Sequence, residues 1–528
     1  MDSRARYFLP SVGCTIFLAI FLTLSFNAGI PLLGDGDTGF HIRVGEFMLD
    51  TQSVPRHDIF SYRVPPLPWI AHEWLSEVIM ALVHRAFGLT GVVLFFILLI
   101  SFAYCLLFRM LRTYNGDILA DIALLLLVIG SSYLHWLARP HIFSILLLVI
   151  WYFLLEAFRK EGKYGYLYPL PALMLLWVNL HGGFVMGFLL AGIYLAATTW
   201  EYRTAEGREK ELSGRRAKAL GVVILACILV SLLNPYGYRL LVFPIQLISK
   251  KYLIDNVNEF LSPDFHLVLP FKYLLFLMIG IFAVSTKRLD PGELALVVIF
   301  TAMALYSYRH IPLYCIIVAP ILSRQISFLL DRTEGGIACG WKIRSRNVAR
   351  IDSSTGGQVL IVIAVCVVIL SAAAGKLAYR FDDKIKPIAA VNFLKMEHLR
   401  GHMFNNDEFG DFLIYFASPP YKVFIDGRLD MYDIENAKEY RKVADVGFGW
   451  EKVIEKYGIS WIFFKADSVL SRVLYGREDW RLIYADQVAN IFVRKIPENK
   501  SLMNRYRDIT PVGEEEDGKG TFLEGRED

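Results

Sequence analysis

Cysteine is scarce and unsuited to any covalent framework. The six residues are Cys14, Cys105, Cys227, Cys315, Cys339 and Cys366; all but Cys339 fall in apolar runs, and none lies in the polar C-terminal segment. No disulfide scaffold or cysteine-based zinc site is readable from them. A one-sided charge is missing as well. The 55 basic residues are nearly balanced by 51 acidic ones, a net of +4, so the basic footprint of a nucleic-acid binder is absent and no nucleic-acid partner is expected. No internal repeat is visible. The pair His72-Glu73 does not open a zinc-protease helix, because the second histidine of H-E-x-x-H would be residue 76, which is Ser76. What the chain has in excess is apolar surface. With 55% hydrophobic residues over 528 positions and a mean hydropathy of +0.42, it is too apolar for a soluble enzyme, and lipid is its main solvent.

A membrane-crossing helix needs roughly 20 mostly apolar residues, and about eleven stretches approach that length. They run near Phe8–Phe26, Leu89–Leu111, Ile118–Leu134, Ile142–Phe158, Tyr166–Leu180, Phe184–Trp200, Ala219–Leu233, Leu269–Ser285, Leu294–Tyr306, Ile311–Leu330 and Val359–Ala374. Arg4 and Arg6 precede the first, which reads as an uncleaved span because no small-x-small cleavage site follows it. Basic residues gather in alternate connections: Arg4/Arg6, Arg109/Arg112, Arg159/Lys160/Lys163, the run Arg203 to Arg216, Lys287/Arg288, and Arg324 to Arg350. The positive-inside rule makes that side cytoplasmic. An odd number of spans then places the N-terminus inside and everything after Ala374 outside, in a multi-pass protein of the cell's inner membrane.

The outer connections collect the unusual residues. Arg139-Pro140-His141, Asn179-Leu180-His181-Gly182-Gly183 and Tyr308-Arg309-His310 sit in very short turns flush with the membrane. Any one polar residue at a helix end is ordinarily just solvated, but ionisable groups this close to hydrocarbon are costly unless they share an aqueous cavity. A cavity open to the outside explains the set.

The first outer loop, 28–88, is too long for a passive connector and contains GDGDTGFHIRVGEFMLD. Asp35 and Asp37, with glycines on either side, can hold a hard divalent cation such as magnesium or manganese, or one can act as a base. The segment from His41 to Leu49, which includes Arg43, reads as an amphipathic interfacial helix. His72 and Glu73 support the loop or cap the site, and Trp69 and Trp74 suit the membrane interface.

At this point the chain resembles the GT-C superfamily of membrane glycosyltransferases, which includes protein O-mannosyltransferases, aminoarabinose transferases and oligosaccharyltransferases. Members carry one or two acidic residues in the first outer loop, then an interfacial helix, and often a soluble outer domain. Asp35 and Asp37 occupy the acidic position here. The blocks GDGDTGFHIRVGEFML, PWIAHEWLSE, ARPHIFS, NLHGGF, NPYG, SPDF and FIDGRLDMY are similar to those of a group of bacterial polytopic membrane proteins. The resemblance implies a GT-C-like fold of about eleven transmembrane helices. It also implies sugar transfer from a polyprenyl-phosphate lipid to an acceptor on the outer face, with Asp37 as base and Asp35 assisting it or holding a metal. His41, Arg43, His72, Glu73, Arg139, His141, His181, Arg309 and His310 would then meet substrate.

The expected domains are a transmembrane part, 1–378, including the outer loop 28–88; a soluble α/β domain, 379–508; and a disordered tail, 509–528, rich in Glu, Gly and Asp. Within the α/β domain the patterns predict helices at Ile388–Leu399 and Ala437–Tyr457, and strands at Lys422–Ile425, Ser460–Phe464 and Val488–Arg494. Asp426, Arg428 and Asp430 follow a predicted strand, where Asp-Gly is more often a turn than a contact to acceptor. Two other functions fit the composition. A transporter or flippase of lipid-linked glycan would need mid-membrane charges and repeated halves. A non-catalytic protein of envelope assembly would need neither.

Overall fold

The computed structural model describes residues 5–27, 31–113, 116–251, 255, 257–267, 269–428 and 430–512. Of the expected tail, residues 513–528 lie outside the described residues, as does Arg4. The chain forms two compact units: Met1–Leu32 with His72–Arg380, and Leu33–Ala71 with Phe381–Asp528. Most of the long first loop therefore belongs with the C-terminal residues, whereas the expected partition kept 28–88 with the transmembrane part.

The first unit is a helical bundle, and the protein is a multi-pass membrane protein. Each of the eleven expected spans is helical, but only five helices among the described residues are long and apolar enough to cross a bilayer: Trp74–Thr113, Ile118–His135, His141–Glu161, Gly182–Thr204 and Tyr308–Arg332. Others are shorter, among them Val12–Phe26, Pro270–Val284, Pro291–Tyr306 and Gln358–Ala373. At 1.5 Å per residue a 16-residue helix spans only about 24 Å against a hydrocarbon core of about 30 Å, so the expectation of about eleven full spans is corrected to five. Polar turns cut two of the others short. The Pro169–Leu180 helix stops where His181 adopts extended geometry, and Pro291–Tyr306 stops at an extended Ser307. In Trp74–Thr113 the regular geometry breaks at Gly88, whose φ of 64° a side chain would oppose.

Charges at one end of this bundle are paired with one another. Arg324 reaches Glu156 at 3.1 Å and Glu293 at 2.5 Å, and Arg159 reaches Asp290 at 2.6 Å and Glu156 at 3.3 Å. The Tyr194 hydroxyl also donates to Glu156. Nearby charge follows the same rule, with Asp121 accepting from Ser323 and facing Arg112 at 3.4 Å. These groups tie the C-terminal part of His141–Glu161 to the start of Pro291–Tyr306 and the later turns of Ile311–Arg332.

The second unit contains a four-stranded sheet in the order β1-β2-β4-β3: β1 His402–Asn405, β2 Ile459–Lys465, β3 Trp480–Ala485 and β4 Ala489–Arg494. β1 and β2 are parallel, and the other pairs are antiparallel. β2, β4 and the Ile388–Glu397 helix answer to predicted elements, while β1, β3 and the Asp407–Ala417 helix were not foreseen. The predicted 437–457 helix is two, Ile434–Ala444 and Trp450–Lys456. The expected strand Lys422–Ile425 does not form. Phe424 N–H donates to the Asn405 side chain (2.7 Å), whose amide donates to the Ile425 carbonyl (2.8 Å), so a buried asparagine takes the backbone groups a neighbouring strand would use.

The former loop is built into this unit. The Asp37–Thr51 helix, expected to lie along the membrane interface, packs on Asp407–Ala417 so closely that a Cβ at Gly39 would stand 2.6 Å from Tyr415 Cβ. Arg428 fastens the following residues. It donates to Asp426 at 2.8 and 2.7 Å and to Asp58 at 2.8 Å, and its guanidinium lies over Trp69 and Phe60. Tyr432 completes the set by donating to Asp426 at 2.9 Å. All of these residues are buried, so Asp426 and Arg428 hold the unit together. Burial raises the Asp58 carboxyl, but the Arg428 charge and hydrogen bonds from Ser61 and Phe60 outweigh it and leave Asp58 below the usual range.

Two outcomes follow. In a Cys339→Ser background, cysteines at the exposed positions Ser53 and Glu478 should react with an impermeant thiol reagent on intact spheroplasts, and one at exposed Glu209 should not. Labelling at Glu209 alone would reverse the orientation. Arg428→Met should strand two buried carboxylates and lower stability by about 3–5 kcal/mol, read as a lower denaturation midpoint of the full chain in detergent. An unchanged midpoint would mean the network contributes nothing net.

Candidate functional site

Two groups of predicted residues gather, one in each unit. In the first unit Arg139, His141, His181, Arg309 and His310 line a single cavity of about 130 Å³. It forms at the ends of the helices opposite the Glu156–Arg324 network: the start of His141–Glu161, the 3-10 turn Tyr308–His310 and the turn at His181. His135, Ser144 and Glu259 line it too and were missed as site residues. Glu259 was legible only as one more acid in a long outer segment. Ser144, three residues beyond His141 on one helix face, carried a positional signal that its common residue type hid.

The two arginines converge on one carboxylate. Glu259 lies 2.7 Å from Arg139 Nη1 and 3.8 Å from Arg309 Nη1. The neighbouring Arg139 charge, against the effect of burial, holds the Glu259 carboxyl well below its usual range, with Arg309 adding to it. Each histidine is oriented by a backbone group. His135 Nε2 faces the Tyr308 carbonyl at 3.0 Å, His141 Nε2 the His135 carbonyl at 2.7 Å, and His310 Nδ1 the Met303 carbonyl at 3.2 Å. Carbonyls only accept, so those nitrogens donate.

His181 serves a different purpose. Its Nδ1 accepts from Gly183 N–H at 2.9 Å and lies 2.8 Å from Ser144 Oγ, which in turn accepts from Trp177 Nε1 at 2.7 Å. Its Nε2 faces Glu73 at 3.2 Å, and His72 Nε2 approaches the same carboxylate at 3.7 Å. The backbone donor at Nδ1 assigns the His181 proton to Nε2, pointing at Glu73. Trp74 Nε1 donates to Asn179 at 2.9 Å and Ser76 Oγ to the Leu180 carbonyl at 2.6 Å, which fixes the same turn. His72 and Glu73 thus support the cavity wall through His181.

The second group lies in the second unit. Asp35 and Asp37 open the Asp37–Thr51 helix, and Asp37 N–H donates to Asp35 Oδ1 at 3.2 Å. A Cβ on Gly427 would stand 2.6 Å from Asp411 Oδ2 and 3.1 Å from Asp37 Oδ1, so both carboxylates converge on a residue without a side chain. Gly427 N–H donates to Asp411 at 3.0 Å. Lys386 is buried beside this group; burial lowers its ammonium pKa against the opposing charges of Asp35, Asp411 and Glu408. Asp411 and Lys386 were not foreseen. Arg43 donates to the Tyr415 carbonyl at 2.8 Å and to Glu46 at 2.6 Å, while His41 is buried against Phe40, so both contribute to packing of this helix.

No protein-family model and no curated protein matches the chain. Solved structures do resemble it. The archaeal oligosaccharyltransferase AglB from Archaeoglobus fulgidus, in complex with an inhibitory peptide and a dolichol-phosphate, aligns with a TM-score of 0.55 and 11% identity over 86% of this chain and 69% of that one. The apo oligosaccharyltransferase of the same organism aligns at 0.55 with 12% identity, over 92% and 75%. ArnT from Cupriavidus metallidurans bound to undecaprenyl phosphate gives 0.47 and 12%, over 90% and 97%. At these identities the likeness is one of fold, shared with the Archaeoglobus fulgidus oligosaccharyltransferase structures at a TM-score of 0.55.

The Arg139–Glu259 pair makes a prediction about pH. A carboxyl whose folded pKa is depressed adds stability above its unfolded pKa of about 4.3, and loses it as pH falls through the folded value. Arg139→Ala should therefore shrink the drop in melting temperature between about pH 5 and pH 2, the interval reaching below that unfolded pKa. An unchanged drop would show that the pair is not stabilising.

Proposed function

We propose that the chain is a GT-C-type glycosyltransferase that takes a sugar from a polyprenyl-phosphate lipid to an acceptor on the extracytoplasmic face, with its C-terminal unit on that face. The observation that carries this reading is the convergence of Arg139 and Arg309 on an acidic group in a cavity set among apolar helices. Two guanidiniums already arranged around a carboxylate suit a phosphate oxygen, which has the same sign and similar donor demands. The related folds support the ligand class, since AglB was solved with a dolichol-phosphate. The orientation rests on the basic connections of alternate loops.

In this mechanism the acceptor attacks the anomeric carbon while the bond from that carbon to the phosphate oxygen breaks. The electron pair leaves with the phosphate, whose charge Arg139 and Arg309 stabilise. The acceptor proton passes to Asp37, with Asp35 beside it. Asp35 and Asp37 offer oxygen donors of the kind a hard divalent cation, magnesium or manganese, takes, and Asp411 approaches Gly427 beside Asp37. When bound, such a cation would supply positive charge to a substrate oxygen.

Two variants test the assignment on the full chain in detergent, using undecaprenyl phosphate for binding and a membrane-extracted lipid-linked sugar pool for turnover. Asp37→Asn should bind the lipid normally and turn over roughly 10²–10⁴-fold more slowly. Arg309→Lys keeps the charge but loses the fork, and should bind undecaprenyl phosphate more weakly. Wild-type turnover by Asp37→Asn would remove the base, and unchanged binding by Arg309→Lys would take Arg309 out of the lipid site.

A further inference from the structure

Glu259 is an odd residue to find in a cavity meant for an anion. It stands between the two arginines that the proposed reaction needs, yet it is held there by the surrounding backbone. The 3-10 turn Asn258–Phe260 is docked on the Tyr308–His310 turn. Ser307 Oγ donates to the Glu259 carbonyl at 3.1 Å, Tyr308 N–H donates to the Leu261 carbonyl at 2.8 Å, and Arg309 lies over the Phe260 ring at 5.4 Å. The carboxylate is thus a fixed wall of the cavity. It meets each guanidinium through Nη1, and a guanidinium carries five N–H donors.

The charges decide what such a cavity prefers. Arg139 and Arg309 contribute two positive charges and Glu259 one negative, a sum of +1 from the three groups. The donor in the proposed reaction is a phosphodiester with a single negative charge. The lipid product is a phosphomonoester whose second pKa is about 6, so at neutral pH it carries nearly two. Glu259 repels the doubly charged monoester about twice as strongly as the singly charged diester, so its carboxylate selects against the monoester.

We infer that Glu259 is a specificity-determining residue that sets the arginine cavity to favour the phosphodiester donor over the phosphomonoester product, so that transfer itself weakens the hold on the lipid and promotes release. This rests on the lipid-phosphate reading above. Glu259 touches no reacting bond in this scheme and acts through Arg139 and Arg309.

The test compares farnesyl phosphate with its methyl ester, a short monoester and diester pair, by microscale thermophoresis on the full chain in detergent at pH 8. Wild type should bind the methyl diester more tightly than the monoester. Glu259→Gln keeps the shape and removes the charge, so monoester affinity should rise about tenfold while diester affinity changes by less than about threefold, the scale of one partly screened charge. Glu259→Asp restores the charge and should restore the wild-type order. If both ligands bind but Glu259→Gln moves them together, or not at all, the specificity role is wrong and the lipid site stands. If neither ligand binds wild type, the lipid-phosphate reading fails and this inference falls with it.

Discussion

A charge placed beside hydrocarbon must be paired, and the first unit is organised around that requirement. Arg324 and Arg159 with Glu156, Glu293 and Asp290 close one end of the bundle, and Arg139 and Arg309 with Glu259 occupy the other. The His141–Glu161 and Ile311–Arg332 helices take part at both ends. The cost of an unpaired ion in such surroundings is several kcal/mol, more than most single packing contacts contribute, so these pairs restrict how the helices can align. The two ends differ in what surrounds the ions. At the first, side chains from four helices interlock around the buried Glu156; at the second, turns and a 3-10 segment leave a cavity.

The second unit depends on a comparable interaction. Arg428 joins Asp58, from the former loop, to Asp426 in the C-terminal chain, and three aromatic residues cover the group. Chain segments some 370 positions apart are thereby held in register. The acidic residues Asp35 and Asp37 gain a fixed environment from the same unit, because the helix they lead packs on Asp407–Ala417 and the Asp37 carboxylate approaches Gly427 beside that of Asp411. A loop that hydropathy treats as a connector becomes a structural layer, and this converts a flexible pair of carboxylates into a defined one.

Much of this protein was determined by sequence alone, wherever the physics is local or one-dimensional. Transfer free energy depends on the run of apolar residues, so membrane residence and the helical character of each expected span were readable in order along the chain. The cost of ionisable groups in short membrane-edge turns also pointed to Arg139, His141, His181, Arg309 and His310 as members of a shared cavity. Other features were decided only by tertiary structure. Helix length depends on where polar turns such as His181 and Ser307 find partners, which apolar windows do not register, and so five full spans stand among the described residues where about eleven were expected. The 422–425 segment had a strand's composition, but the side chain of Asn405 took its backbone groups. Glu259, Ser144, Asp411 and Lys386 carry no local signature, because their importance lies in what distant residues bring to them. The partner of a charge is set by folding in three dimensions, and no window along the chain contains both halves of such a pair.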